Sequence, residues 1–379
     1  MSVSAWFRTG VQCLCVCAGI TAIVFYSIQL HRDGKLGKAK ISYLSAACFS
    51  FLAGIISVRA ILLHLTHWTR PYSQKHAVRI LGLVPVYALE SFLALRFRKN
   101  ALLIETIRDS YEAYTIYSFF YFLLSLLGDE EQLLKILRSK VNRGAHPWPL
   151  NLLISPWASA GEILLRCKTG ILQYVVLKNV CTLAILITSS LGVYNEGVFS
   201  LTGGSYFYIT AISSTSQLIA LYCLILFYFV TKEELTPFRP VSKYVTVKMV
   251  VFFSFWQTLG VSLIAHHTSW LGNAQFDGWT TQEIAQGIAD YAINLEMVPA
   301  AVAFSYAFSH RDFLGGTGGG KPRHQHSRDS NDPGENSTEE DDVHEGRPFL
   351  ALLSASVPSD FLVELHSTMT STAPLKSPM

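Results

Sequence analysis

Long apolar runs separated by short polar breaks dominate this chain. They cover residues 11–30, 43–65, 77–95, 111–127, 173–194, 207–230, 245–267 and 284–308. About 20 apolar residues, rising about 1.5 Å each in a helix, cross a hydrocarbon core of about 30 Å. The plainest pair is 207–230 and 245–267. Lys232, Glu233 and Glu234 end the first run, and Thr236-Pro237-Phe238-Arg239-Pro240 imposes a turn. Each proline lacks the amide hydrogen that a continuing helix needs. The pattern predicts an all-α polytopic membrane protein, with a seven-helix transmembrane bundle over residues 41–313. Residues 1–40 add an apolar segment, read as either a signal peptide or an extra helix, and a basic loop. Beyond 313 the chain turns to Gly, Ser, Asp, Glu and His. It is too polar there to bury a core, so 314–379 is expected to be a disordered cytosolic tail.

Loop charge sets the expected orientation. The intervals 128–172 and 231–243 are rich in Lys and Arg, whereas 195–206 and 268–281 contain neither. By the positive-inside rule the two basic intervals face the cytosol, and so does the C-terminus. Asn336, in the sequon Asn336-Ser337-Thr338, should then stay unglycosylated. Two intervals run against this orientation: 32–40, and 96–108 with Arg96, Arg98, Lys99 and Arg108.

Composition agrees with a membrane protein. Charged residues make up 15% of the 379 and hydrophobic ones 50%, where soluble domains carry about 25% charged. A net charge of +3, spread over short loops, excludes a nucleic-acid partner. The seven cysteines lie mostly within apolar runs and have no metal-ligand spacing, so they read as small buried hydrophobes. Gly315 to Lys321 has the spacing of a phosphate-binding loop, but Pro322 stands where the magnesium-binding hydroxyl belongs. No metal site, cofactor or catalytic triad is indicated, and no enzyme activity is expected.

Charges inside or at the edge of the runs are the candidates for function, because an ionisable group in a bilayer faces a bundle interior or a watery cavity. They include Arg59, Glu90, Lys178, Lys248, Asp290 and Glu296. Lys248, Phe252 and Trp256 recur every fourth residue, which puts a cation beneath two aromatic rings on one helical face. Lys178 and Lys248 are equally read as snorkelling to the interface. Arg108 and Glu112, four apart with Asp109 between, are candidates for a structural ion pair along one helix. Cys167, between Arg166 and Lys168, is a candidate for palmitoylation. In the tail, Phe349 and Leu352 follow Glu339-Glu340-Asp341-Asp342. They have the spacing of peptides that add a strand to ubiquitin-like autophagy proteins.

Several motifs in order over residues 44–310 resemble one family. These are Val84-Pro85-Val86-Tyr87-Ala88-Leu89-Glu90-Ser91, Ile107-Arg108-Asp109-Ser110-Tyr111-Glu112-Ala113 and Gln173-Tyr174-Val175-Val176-Leu177-Lys178. Ala220-Leu221-Tyr222, Leu235-Thr236-Pro237, Phe253-Ser254-Phe255-Trp256-Gln257 and Glu296-Met297 follow. Together they resemble the organic solute transporter alpha-subunit and transmembrane protein 184 family. His146-Pro147-Trp148-Pro149-Leu150-Asn151 is most similar to the plant lazarus-type branch. The resemblance implies seven transmembrane helices, an outside N-terminus and a cytoplasmic C-terminus. It also implies carriage of steroid-like or other amphipathic solutes, a vacuolar, endosomal or plasma membrane location, and links to autophagy or immune signalling. The alpha-subunit branch works with a small single-span partner.

Two readings follow from this. In the first, the protein moves an amphipathic organic solute or lipid-like molecule by facilitated diffusion. Lys178 and Lys248 hold an anionic headgroup, while Tyr222, Phe252 and Trp256 line the path and Glu90 and Glu296 contribute charge. In the second, it is an endomembrane scaffold whose tail recruits trafficking or autophagy proteins. Membrane lipids are partners in both, and a homo-oligomer is compatible with either.

Overall fold

A computed structural model describes residues 38–140, 159–194, 204–267, 281–314 and 359–371. The apolar run at 11–30, the segment 146–151, the glycine run from 315, Asn336 and the Phe349/Leu352 pair lie outside the described residues.

Every described element is helical. In chain order they are α1 (Lys38–Thr66), α2 (Pro71–Leu81), α3 (Leu83–Arg96), a 3-10 turn (Arg98–Asn100), α4 (Ala101–Leu126) and α5 (Glu130–Lys140). Then come α6 (Ala160–Ser190), α7 (Tyr206–Leu235), a second 3-10 turn (Thr236–Phe238), α8 (Pro240–His267), α9 (Thr281–Ala307), α10 (Arg311–Leu314) and α11 (Ser359–Ser371). Five segments among the described residues are long and apolar enough to cross a membrane: Ser42–Thr66, Pro71–Arg96, Ala160–Ser190, Tyr206–Phe238 and Glu283–Phe313. Helices α4 and α8 have spanning length, at 26 and 28 residues, without belonging to those five. Helix α4 carries Glu105, Arg108, Asp109 and Glu112 in its first half. With these helices the chain is an all-α integral membrane protein.

Side-chain exposure fits lipid surroundings. On α1, Phe51, Ile55, Val58 and Leu62 are each at least half exposed, and so are Val180, Leu183 and Ile187 on α6 and Leu191 just after it. A single exposed leucine is unremarkable, but continuous stripes at helical spacing need an apolar environment.

The chain divides into two compact units. The first comprises Met1–Ala60, Leu81–Glu112 and Ser242–Ala307, and the second Ile61–Ile80, Ala113–Val241 and Phe308–Met379. In the first, α3 packs on α9 around Val84, Tyr87, Ala88, Ile293, Met297 and Ala301, all buried. The break between α2 and α3 follows from Pro85. It has no amide hydrogen for the Leu81 carbonyl, and its ring crowds that oxygen. The helix therefore loosens at Gly82, and the Val86 amide donates to the Gly82 carbonyl at 3.2 Å as the new helix begins.

In the second unit, α6 packs on α7. Helix α6 starts well before the apolar run at 173. The Ser159 side chain accepts from the Glu162 amide at 3.3 Å, and the spacing of these two residues is that of a capping box. Much of the interval 128–172 is therefore helix, since α5 buries Leu133 and Leu137 and α6 begins at Ala160. The predicted turn at Thr236–Pro240 is present, as a 3-10 turn closed by Arg239 in the left-handed region, φ 51°. The expectation of a tail without structure is corrected for Ser359–Ser371, which forms α11. The apolar patch Phe361–Leu365, too short to span, is long enough to give a helix one packed face.

Candidate functional site

The first unit buries a set of paired charges on three helices and a turn. Glu90 on α3 is 4% exposed. Its carboxylate accepts from Arg108 Nη1 of α4 at 3.2 and 3.3 Å and from the Ser91 hydroxyl at 3.1 Å. The Arg108 guanidinium also lies 3.6 Å from Asp109 and 5.6 Å from the centre of the Tyr87 ring. A second buried pair joins Arg98, from the first 3-10 turn, to Asp290 on α9. Arg98 donates further to Gln286 Oε1 at 2.8 Å.

The polar set continues along α9. The Asn294 side chain donates to the Asp290 carbonyl at 2.9 Å. The Ser50 hydroxyl of α1 sits between Asn294 Oδ1 and the Ala88 carbonyl, 2.8 Å from the latter. Ser45 donates to the Tyr291 hydroxyl at 3.2 Å. Gln286, Asp290 and Asn294 recur every fourth residue, so they form a polar stripe on one face of an apolar helix. Lys243 of α8 donates to the Ala307 carbonyl at 2.7 Å and so caps the last turn of α9.

Charges this deep are tolerated because they are matched. An uncompensated ion in low dielectric costs several kcal/mol, and pairing with further hydrogen bonds offsets most of that cost. The arrangement holds α1, α3, α4 and α9 by polar contacts.

Four sequence candidates, Glu90, Arg108, Asp109 and Asp290, meet in this network. The expectation paired Arg108 with Glu112 along one helix; the structure pairs it with Glu90 on α3. Glu112 acts electrostatically on Lys248 of α8, which is half-buried. The Phe252 and Trp256 rings lie 5.9 Å apart, and each is 53% exposed. They form an outward aromatic face. Glu296 is half-buried on α9. Lys178 and Tyr222 belong to the second unit and are also half-buried. Lys178 lies near the middle of α6 rather than at its end, because that helix starts earlier than its apolar run.

Cys167 departs from expectation. Its side chain is fully buried with the Cys223 thiol as its neighbour, so it presents no sulfur to an acyltransferase. The lipidation reading is corrected by the helical start at Ala160, which turns a loop cysteine into a packed one. Asp290 was a candidate by its charge, but its partners Arg98, Gln286 and Asn294 were missed. The stripe at 286, 290 and 294 was their signal.

The comparisons agree with the residues. A family model described as organic solute transporter Ostalpha matches residues 42–313. The protein LAZ1 homolog 1 of Arabidopsis thaliana is 34% identical over 280 residues, covering 70% of this chain and 56% of that protein. A transmembrane protein 184 homolog of Dictyostelium discoideum is 36% identical over 279 residues, covering 72% of this chain and 54% of the relative. The chain thus spans about half the length of these curated relatives. No solved structure matches it. With most of its described helical region inside the matched range, this chain belongs to the organic solute transporter Ostalpha family.

Proposed function

We propose that this transporter-like membrane protein moves amphipathic organic solutes or lipid-like molecules down their gradient. The observation that carries the reading is the first unit's combination of a half-buried cation, Lys248, with an exposed aromatic face, Phe252 and Trp256, on α8. An anionic headgroup meets the cation, and its apolar body lies along the rings. The matched charges of Glu90, Arg108, Arg98 and Asp290 keep neighbouring helices in register.

We read α4 and α8 as the two remaining spans, giving seven crossings with the C-terminus in the cytosol. Their lengths, 26 and 28 residues, support this, since about 20 helical residues cross a hydrocarbon core. A vacuolar, endosomal or plasma membrane is the proposed setting.

Lys248→Ala tests the solute assignment. In purified, reconstituted protein it should slow uptake of a sterol sulfate several-fold and leave uptake of the uncharged sterol nearly unchanged. An equal loss for both would make Lys248 structural and remove the headgroup assignment.

A further inference from the structure

The second unit contains a cationic site already filled by the chain's own C-terminal helix. Lys75 and Arg79 stand four residues apart on one face of α2, an unfavourable like-charge spacing in isolation. Asp360 of α11 lies 2.7 Å from Lys75 Nζ and 3.4 Å from Arg79 Nη2. One turn further, Glu364 lies 3.0 Å from Lys168 Nζ of α6. Between these contacts Phe361 packs edge-on against Tyr117 at 5.2 Å. Thr368 is buried on the same face, while Leu362 and Val363 point away and are more than 60% exposed. Two acids and one aromatic residue thus hold a 13-residue helix on three cations and a tyrosine floor.

One polar side chain beside the cations is left unsatisfied. His76, next to Lys75, is 1% exposed, and neither of its ring nitrogens has a hydrogen-bond partner. The ring stacks on Tyr121 at 5.9 Å and so is fixed in place. A buried polar atom left unsatisfied destabilises the folded state. The Asp360 carboxylate has two oxygens and one charge, and both cations of α2 already use one of its oxygens. A phosphomonoester brings three terminal oxygens and about −1.5 to −2 charge. It therefore matches three cations and an imidazole better than either carboxylate does.

From this geometry we propose that Lys75, Arg79, Lys168 and His76 form a binding site for the phosphomonoester headgroup of a membrane lipid, and that α11 is its displaceable internal occupant. The position favours a lipid over a soluble phosphate, because Lys75, Arg79 and Lys168 all lie in the N-terminal parts of Pro71–Arg96 and Ala160–Ser190, two segments long and apolar enough to span. Displacement also has a defined fate for α11. An isolated helix of this length is marginal in water, and its acids are repelled by an anionic bilayer surface, so the released segment unravels. The proposal stands apart from the transport reading and survives if no solute is moved.

Hydrogen exchange by mass spectrometry on the full chain in nanodiscs tests it. In phosphatidylcholine discs the amides of 359–371 should be protected. Adding phosphatidic acid to the bilayer should abolish that protection. Asp360→Asn/Glu364→Gln should abolish it without added lipid, with α2 and α6 unchanged as the check on folding. The same variant should retain more phosphatidic acid in native mass spectrometry, and Lys75→Ala/Lys168→Ala should retain less than wild type. Protection that persists with phosphatidic acid would overturn the headgroup assignment. Release by inorganic phosphate equal to that by the lipid would overturn the lipid as source. An unprotected segment in phosphatidylcholine alone would overturn docking itself.

Discussion

Arg108→Met should destabilise the folded protein by about 3–5 kcal/mol, the usual cost of stranding one member of a buried ion pair. The variant strands the Glu90 carboxyl at 4% exposure, where it must stay charged without a cation or take up a proton, with the Ser91 hydroxyl still donating to it at 3.1 Å. Removing both charges, as Glu90→Gln/Arg108→Met, should restore most of the loss, since the buried carboxylate goes with its cation and Asp109, the other acid beside Arg108, is 31% exposed. The readout is the thermal midpoint of the purified protein in detergent. Wild type and double variant should melt close together, with the single variant well below. If the double variant fell by the sum of the two single losses, the pair would be uncoupled and the network would not act as a unit.

Gly170→Ala should cost about 1–3 kcal/mol, the range for overpacking a tight contact. A Cβ there would lie 2.3 Å from Cys223 Sγ, 3.4 Å from Cys223 Cβ and 3.7 Å from Ile219 Cγ2. Only the sulfur is in the way. Gly170→Ala/Cys223→Ala should therefore recover the thermal midpoint to near that of Cys223→Ala alone. Failure of the second substitution to rescue the first would mean that α6 and α7 do not approach through this point.

The spans were legible because each is an apolar run bounded by charges or prolines, and length alone carries that information. Helix starts were less so. Helices α4 and α6 extend back to Ala101 and Ala160, into stretches whose charged residues look like loop. Apolar periodicity marks the buried part of a helix, whereas a capping residue such as Ser159 marks where its backbone begins. The same limit hid Cys167, whose basic neighbours suggested an exposed loop.

Charge reading missed for a related reason. Arg96, Arg98, Lys99 and Arg108 were counted as loop cations running against the expected orientation. Arg98, in the turn before α4, and Arg108, on α4, are in fact ion-paired with Asp290 and Glu90, so neither is an exposed loop charge. A rule that counts exposed cations cannot recognise a neutralised one, and the partner of Arg98 lies 192 residues away. The polar stripe on α9 was readable at four-residue spacing. Which residues it would meet was not, because that depends on how α3 packs on α9. The docking of α11 lay further out of reach, since an acidic segment of a polar tail carries no sequence mark of the cations it will find.

Uptake by liposomes holding only this purified chain tests the central claim most directly. Solutes should equilibrate down their gradients, faster for a sterol sulfate or a lysophospholipid than for a polar anion of similar charge such as citrate. The initial rate should saturate with solute and be unaffected by collapsing ion gradients. Protein-containing liposomes that take up every amphipathic solute no faster than empty ones would contradict the account.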